Sequence, residues 1–499
     1  MSSIVKLDPF TRIEGHLAVS LNVQNNRVKD AQCTGEMVRG FEQILQGRSP
    51  LDAQQIVQRI CGVCPVSHGI ASVLAQEQAY GIQLPENARL QRNIMLASNY
   101  IQSHITHFYH LSALDFIDIT AILDYKGGDA FLLAMQNWVK AELASKNLFP
   151  AAPFLPRYQG RYLKDVDFNI TALRNYFIAL EMRATAHQLI AIFAGKMPHM
   201  ASIVPGGITE KVTTKKIIQC KSKLAQLKGF INNSYRNDLL AITAEFPSYL
   251  SIGKSCGNFL SFGAFGDANL EKSPLLPAGA LLQGKLEEVD DISIKEDVSF
   301  SKYSSDSGRE KTVPEPHKSG AYSWIKAPRY RGEAMEVGPL ARLMVAQAKG
   351  NKKMQEASNA FLQKTDLSLT DLDSCLGRHI ARFIELEVII EKCEEWMEQL
   401  RPDQPTAVDF NIPQQAEGRG MMEAPRGALG HWVTIEKQKI GRYECIVPTT
   451  WNCSPKDDKQ IPGPVEQSLI GTIVADKTNP LEAARIVRSY DPCLACAVH

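Results

Sequence analysis

Apolar and polar residues alternate through HLAVSLNVQNNRVKDAQCT, on both sides of Asn25-Asn26. A period of two around an Asn-Asn centre predicts a β-hairpin. The period lengthens at Ser49-Pro50, where SPLDAQQIVQRI reads as a helix running into Cys61. A helix resumes after Pro65, through SHGIASVLAQEQAYG. From about residue 86 to 122 the apolar positions keep a helical period, and further helices are expected near 130–146, 169–197, 209–230, 335–349 and 368–400. Residues 250–330 are richer in Gly, Ser, Pro and charge, and predict strands and long surface loops. HWVTIEKQKIGRYECIVP, residues 431–448, reads as a second hairpin turning near Lys439–Gly441, and a short helix follows at 480–489. The expectation is a predominantly helical α+β chain, with long central helices and small peripheral hairpins and sheets. No repeat, low-complexity tract or clean linker divides it, so residues 1–499 read as one unit.

Composition narrows the function classes. The 499 residues are 44% hydrophobic and 22% charged, ordinary globular values. A formal net charge of +1 gives no nucleic-acid footprint. Apolar runs break short of the ~20 residues of a membrane helix. The N-terminal MSSIVKLDPF has no apolar h-region, so neither a membrane span nor an export signal is expected. Eleven cysteines, an odd number, argue against a disulfide framework. Seven stand singly and read as small buried hydrophobes. The other four form two C-x-x-C pairs, Cys61/Cys64 and Cys493/Cys496.

Four thiolates suit a closed tetrahedral zinc site. Structural zinc pairs sit close in sequence, however, and more than 400 residues separate these. A zinc clip joining distant ends of the chain stays open on spacing alone. A thioredoxin-like dithiol needs a strand before one pair, and neither has it. The surroundings add chemistry. His68 follows the first pair and His499 the second, DPFTRIEGH holds Glu14 in a short polar cluster, and APRGALGHW and VPTTWN are further groups of Pro, Arg and Thr. Together they look like the scattered pieces of one buried inorganic site.

The pieces resemble a known family. RICGVC with His68 and DPCLAC with His499 are similar to the two metal-binding motifs of the large subunit of nickel–iron hydrogenases. DPFTRIEGH, RGFEQILQGRSPLDAQ, HFYHLSALD, PRYRGEAMEVGPLAR, EAPRGALGHW and VPTTWN resemble its other signatures, so the likeness runs from end to end. GHW and PTTWN look more like the respiratory, uptake-type branch than the cytoplasmic nicotinamide-reducing branch. The resemblance implies that regions 1–80 and 420–499 converge on one metal site. Cys61 and Cys493 would be terminal nickel ligands, and Cys64 and Cys496 would bridge nickel to an iron carrying one carbon monoxide and two cyanides. The reaction implied is reversible heterolytic cleavage of H2, with Cys493 as first proton acceptor and Glu14 as relay. Without the resemblance, Glu14 reads as a loop carboxylate paired with Arg12.

The resemblance also assigns the surroundings. Arg426 and Thr449 would donate to the cyanides, Pro425 and Pro448 would shape their pocket, and Asp491 would sit beside Arg426. His68 would donate to a bridging sulfur, and Val63 and Leu111 would stand at the mouth of a gas channel. His499, Glu42 and a backbone carbonyl near Cys445 would hold a magnesium ion or another hard divalent cation. Family members mature by proteolysis after the histidine matching His499, so a nickel-insertion machinery and a dedicated protease are implied partners. A small subunit would carry iron–sulfur clusters and the export signal, placing the pair in the periplasm or on the outer face of a membrane. Two points depart from the usual pattern or leave it open. Ser103 replaces a common aspartate near Arg426, and position 493 is selenocysteine in the selenium-containing subgroup. Alternatives are a hydrogen-sensing relative, the related metal-free respiratory-complex subunit, which the four cysteines disfavour, and the zinc clip.

Overall fold

The computed structural model describes residues 2–145, 160–266, 274–308 and 311–499. Strands β1 (Ser2–Leu7), β2 (Leu17–Gln24) and β3 (Arg27–Gly35) form an antiparallel meander. The first expected hairpin is β2–β3. Asn25 and Asn26 take φ of 49° and 57°, the two-residue turn whose twist matches its strands. Helices α1 (Phe41–Leu45) and α2 (Pro50–Val57) follow, α2 with Ser49 as cap and Pro50 in its first turn.

Helix α3 (Pro65–Tyr80) starts directly after Cys64. Helix α4 (Glu86–Ile105) is buried from Asn87 to Ile105. The helix expected to run to residue 122 breaks instead: the backbone widens to π geometry over Thr106–Ser112 and then tightens into short 3-10 turns. Helices α5 (Ala130–Ser145), α6 (Val166–Ala194), α7 (Thr214–Phe230) and α8 (Arg236–Glu245) continue the chain. Residue 146, the last of the expected 130–146 helix, lies outside the described residues. The two-residue strands β4 (Ile203–Val204) and β5 (Gly207–Ile208) precede α7, which begins at Thr214 because Thr213 caps it. Helix α6 is long and apolar enough to cross a membrane by length and composition, which the search for unbroken apolar runs did not anticipate. In this fold it packs along α4 and α7.

The middle of the chain holds the expected strands. β6 (Phe259–Ala264), β7 (Leu276–Leu282) and β8 (Lys285–Glu287) form a sheet with β11 (Glu336–Val337), while β9 (Ile294–Asp297) pairs with β10 (Ala327–Tyr330). Residues 267–273 and 309–310 of this region lie outside the described residues. Helix α9 (Pro339–Ala348) starts later than expected because β11 occupies its predicted first turn. Helix α10 (Lys352–Thr365) was not foreseen, and α11 (Cys375–Gln399) follows a separate 3-10 turn.

Strands β12 (Gln415–Ala424), β13 (Gly427–Glu436) and β14 (Lys439–Ile446) make the last sheet. The second hairpin turns at Lys437-Gln438, with φ of 53° and 63°, rather than at Lys439–Gly441. The register pairs Glu436 with Lys439, which leaves Gly441 inside β14. Short helices α12 (Pro448–Asn452), α13 (Pro464–Leu469), α14 (Leu481–Ser489) and α15 (Leu494–Ala497) end the chain. Two glycines seat this sheet on α3: a Cβ on Gly418 or Gly420 would come within 2.0 Å of the Ala75 or Ala71 carbonyl. Strand and helix backbones therefore nearly touch, and the helix that begins at Cys64 is held rigidly against β12.

Candidate metal centre

Cys61 and Cys64 lie between the 3-10 turn Gln58–Ile60 and α3. Cys64 occupies the cap position of α3, with Pro65 at the first helical position, and its own sulfur makes no cap. Both Cys64 N–H and Val63 N–H donate to Cys61 Sγ, at 3.4 and 3.3 Å. The second pair arrives from the other end of the chain. All four sulfurs lie within 4.8 Å of one another and all four cysteines are buried. Cys61 Sγ is 3.4 Å from Cys493 Sγ, Cys64 Sγ is 3.3 Å from Cys496 Sγ, and Cys493 and Cys496 are 3.1 Å apart.

This crowding sets the charges. Hydrogen bonds from Cys493, Cys496 and Cys64 pull the Cys61 thiol well below the usual thiol range. Burial, reinforced by the neighbouring sulfurs, pushes Cys493 and Cys496 well above it. Four buried thiolates cannot coexist without positive charge among them, and a metal supplies it. The cysteines thus fit a cationic metal group.

Glu14 meets the second pair along its backbone and its side chain. Glu14 N–H donates to Pro492 O at 3.3 Å, and Leu494 N–H donates to Glu14 O at 2.7 Å. Glu14 Oε2 accepts from the Cys493 thiol at 3.1 Å and from Ala495 N–H at 2.9 Å. Burial, then the charge on Cys61, raises the Glu14 carboxyl above its usual range. Arg12 does not pair with Glu14; its guanidinium binds Asp115 and the Leu111 carbonyl. The alternative reading of Glu14 as an Arg12-paired loop carboxylate is therefore corrected.

Arg426 is 4% exposed and stands over the sulfurs. Its Nε donates to Asp491 O and its Nη2 to Asp491 Oδ1, both at 3.0 Å. Burial alone disfavours its charge, but Asp491 and then Cys493 outweigh that and hold the guanidinium well above its ordinary pKa. Ser103 Oγ accepts from Arg426 Nη1 at 3.4 Å, a long contact where an aspartate would have supplied a charge. Thr449 Oγ1 accepts from Cys493 N–H at 2.9 Å, which leaves its own hydrogen free to donate. A small cavity beside the sulfurs has Ala424, Leu429 and Pro448 as apolar wall and Arg426 and Thr449 as donors. Pro425 lies one shell further out, its carbonyl accepting from Arg342 Nη2 at 2.8 Å. His68 Nε2 is 3.4 Å from Cys496 Sγ. Val63 and Leu111 are half-buried, Val63 packed on the main core.

A second polar cluster touches the same tail. The His499 side chain is 7% exposed; its Nδ1 donates to Cys496 O at 2.6 Å and its Nε2 is 3.5 Å from Glu42 Oε1. Glu42 also accepts from Thr312, and from Cys445 N–H at 3.1 Å. It is thus the amide of Cys445 that meets Glu42. Lys326 Nζ lies 3.7 Å from Glu42 and 2.9 Å from Glu296, neither foreseen from sequence. Arg39 was also missed as a functional residue, although its RGFEQ motif was singled out. Its Nη2 donates to both Ile60 O and Ala495 O, one carbonyl from each cysteine motif. Of the seven single cysteines, six are buried and Cys256 is half-buried.

Residues 39–499 match the family model described as nickel-dependent hydrogenase, and residues 4–34 match one described as HoxL-like. The chain is 39% identical over 514 residues to the periplasmic [NiFeSe] hydrogenase large subunit of Desulfomicrobium baculatum, covering 99% of this chain and 94% of that one. It is 35% identical to the hydrogenase-2 large chain of Escherichia coli K12, covering 100% of this chain and 97% of that one. Its fold matches the solved Ni-Fe-Se hydrogenase of D. vulgaris Hildenborough in the reduced state, with a TM-score of 0.89, 38% identity and full coverage of both chains.

Proposed function

The chain belongs to the nickel-dependent hydrogenase family and is the catalytic large subunit of a nickel–iron hydrogenase; from that premise we propose a residue-by-residue reading of its centre. The observation that carries it is the convergence of four buried sulfurs from opposite ends of the chain. Cys61 and Cys493 would hold the nickel, and Cys64 and Cys496 would be shared between nickel and iron. Soft thiolates suit such metals. When bound, the centre supplies the heterolytic cleavage of H2.

The protein's own part is to receive and move a proton. Cys493 holds the proton first, and Glu14 Oε2, at 3.1 Å, takes it onward. The raised carboxyl of Glu14 suits a relay that must both accept and release. Arg426 and Thr449 face the small cavity and would donate to the iron's cyanides there, with Pro448 as apolar wall and Pro425 buttressing through Arg342. Asp491 fixes the Arg426 fork, and Ser103 leaves it with one fewer charge than the usual aspartate. His68 donates to Cys496, and Val63 and Leu111 line the route of gas. Glu42, His499 and a backbone carbonyl near Cys445, whose own amide is already taken by Glu42, would hold a hard divalent cation such as magnesium.

Among the described residues no other group of three or more His, Cys, Asp or Glu is placed to hold a metal. Electrons therefore leave to iron–sulfur clusters of a small subunit, exported together with this chain to the periplasm or the outer face of a membrane. The kinship with selenium-containing relatives makes position 493 the place to seek selenium by elemental analysis. The deciding experiment is an infrared spectrum with metal analysis of the purified complex. Carbonyl and cyanide bands with nickel and iron are expected; zinc alone, or no bands, ends this reading.

A further inference from the structure

His68, Ser72, Gln76 and Tyr80 recur every four residues along α3, so they stack on one helix face. That face points inward: His68 is 1% exposed, and Ser72 and Gln76 are fully buried. Polar side chains in such a place need partners. Tyr80 donates its hydroxyl to Gln76 Oε1 at 3.2 Å, and Gln76 Nε2 donates to Ser72 Oγ at 3.4 Å. Tyr443, on β14, lies 2.8 Å from His431 Nδ1. His431, on β13, places Nε2 3.2 Å from His68 Nδ1, and His68 Nε2 reaches Cys496 Sγ.

The end of the chain fixes its direction. A ring nitrogen facing a metal-bound thiolate carries its hydrogen. His68 therefore donates from Nε2 and accepts at Nδ1. His431 must then donate from Nε2, which leaves its Nδ1 to accept from Tyr443. On α3 itself, Gln76 donates to Ser72. From Tyr443 through His431 and His68 every donor points toward the sulfur, and aligned hydrogen bonds in a buried site polarise one another. We propose that His431 and Tyr443 are positioning residues that lock His68 in the tautomer donating to Cys496, and thereby tune the electron density of that sulfur. This rests on the reading of Cys496 as a bridging ligand. Burial holds His431 neutral, as a link that both donates and accepts must be. The chain tunes the sulfur from Tyr443 inward. Proton exit stays with Glu14.

The test is infrared spectroscopy of the metal-loaded complex carrying Tyr443→Phe, His431→Leu or His431→Gln. With its polarising donor weakened, Cys496 pushes more density onto iron. The carbonyl band of Tyr443→Phe and His431→Leu should move to lower wavenumber. H2 oxidation in these variants should fall roughly 10-fold to 100-fold, in kcat rather than KM. His431→Gln keeps an acceptor and a donor and should restore the wild-type band. Should His431→Leu not assemble, the near-isosteric Tyr443→Phe decides. An unmoved band in metal-loaded Tyr443→Phe overturns this role alone. A wild-type complex without carbonyl and cyanide bands overturns the nickel–iron reading and this role with it.

Discussion

The two cysteine motifs end at the same point but are built differently. In the first, Cys64 caps the 16-residue helix α3, and the bonds that shape the loop are local: Cys64 and Val63 amides to Cys61 Sγ, His68 N–H to Cys64 O. In the second, Cys493 caps α15, four residues long; beside the local bonds of Ala497 N–H to Cys493 O and Val498 N–H to Leu494 O, its contacts go far away. Pro492 and Leu494 bind Glu14, Cys493 binds Thr449, Ala495 binds the Glu14 carboxylate, and Val498 accepts from Arg39 N–H. The first motif carries its geometry in its own segment. The second acquires most of its geometry by docking, so it is the half of the site that can close last.

The strongest way to break this contrast is to remove ligands. Cys61→Ser and Cys496→Ser should each abolish nickel retention and H2 oxidation, since no spare thiolate lies within reach. Metal analysis that finds full nickel in either variant sinks the shared site.

Glu14→Gln comes next. The amide oxygen still accepts from Ala495 N–H, so the tail should dock and the metals stay. Proton delivery should fall by roughly 10²–10⁴-fold. H/D exchange with water should collapse while conversion of para- to ortho-hydrogen persists; unchanged exchange would show another proton exit.

A pair of glycine substitutions sharpens the comparison. Gly15 has φ of 83°, and its added Cβ would lie 2.7 Å from Ala495 N. Gly15→Ala should cost about 1–3 kcal/mol and loosen the tail, read as faster amide exchange over Cys493–His499. Gly69 sits within α3, where a Cβ would meet Met200 Cε at 3.1 Å and Gln58 Cγ at 3.2 Å. Gly69→Ala should stay within about 1 kcal/mol of wild type, helix propensity offsetting the contact. Equal effects would erase the distinction drawn between the motifs.

A pH test concerns Glu466 of α13, which ties the C-terminal region to β3 by accepting from Cys33 N–H at 2.8 Å. Burial pushes its carboxyl up from 4.5 to about 8. The folded state therefore binds this proton more tightly than the unfolded chain does. Stability from this group is full below pH ~4.5, declines as pH rises toward about 8, and is level above. Melting temperatures of Glu466→Gln should lack that decline; a wild-type slope in the variant would refute the assignment.

Much of the architecture was legible because it is periodic. The Asn25-Asn26 hairpin, the Ser49-Pro50 helix start and α14 lie where pattern and turn chemistry put them. The errors fall where long-range pairing overrides local preference. β11 takes the predicted start of α9, and the β13–β14 register moves the turn to Lys437-Gln438. Of the centre, the cysteines, Glu14, Arg426 and His68 were readable through motifs, each a dense run of chemical side chains.

The sequence by itself determined the helical period, the strands of the hairpins, the two cysteine pairs and the family, because these live in spacing and residue type. Only the tertiary structure decided that Arg39 joins Ile60 to Ala495, that Arg12 belongs to Asp115 rather than Glu14, and that His431 and Tyr443 complete the polar face of α3. Those partners are separated by up to several hundred residues. No local pattern encodes them, because each is chosen by which buried donor happens to face which buried acceptor once the helices and sheets have packed.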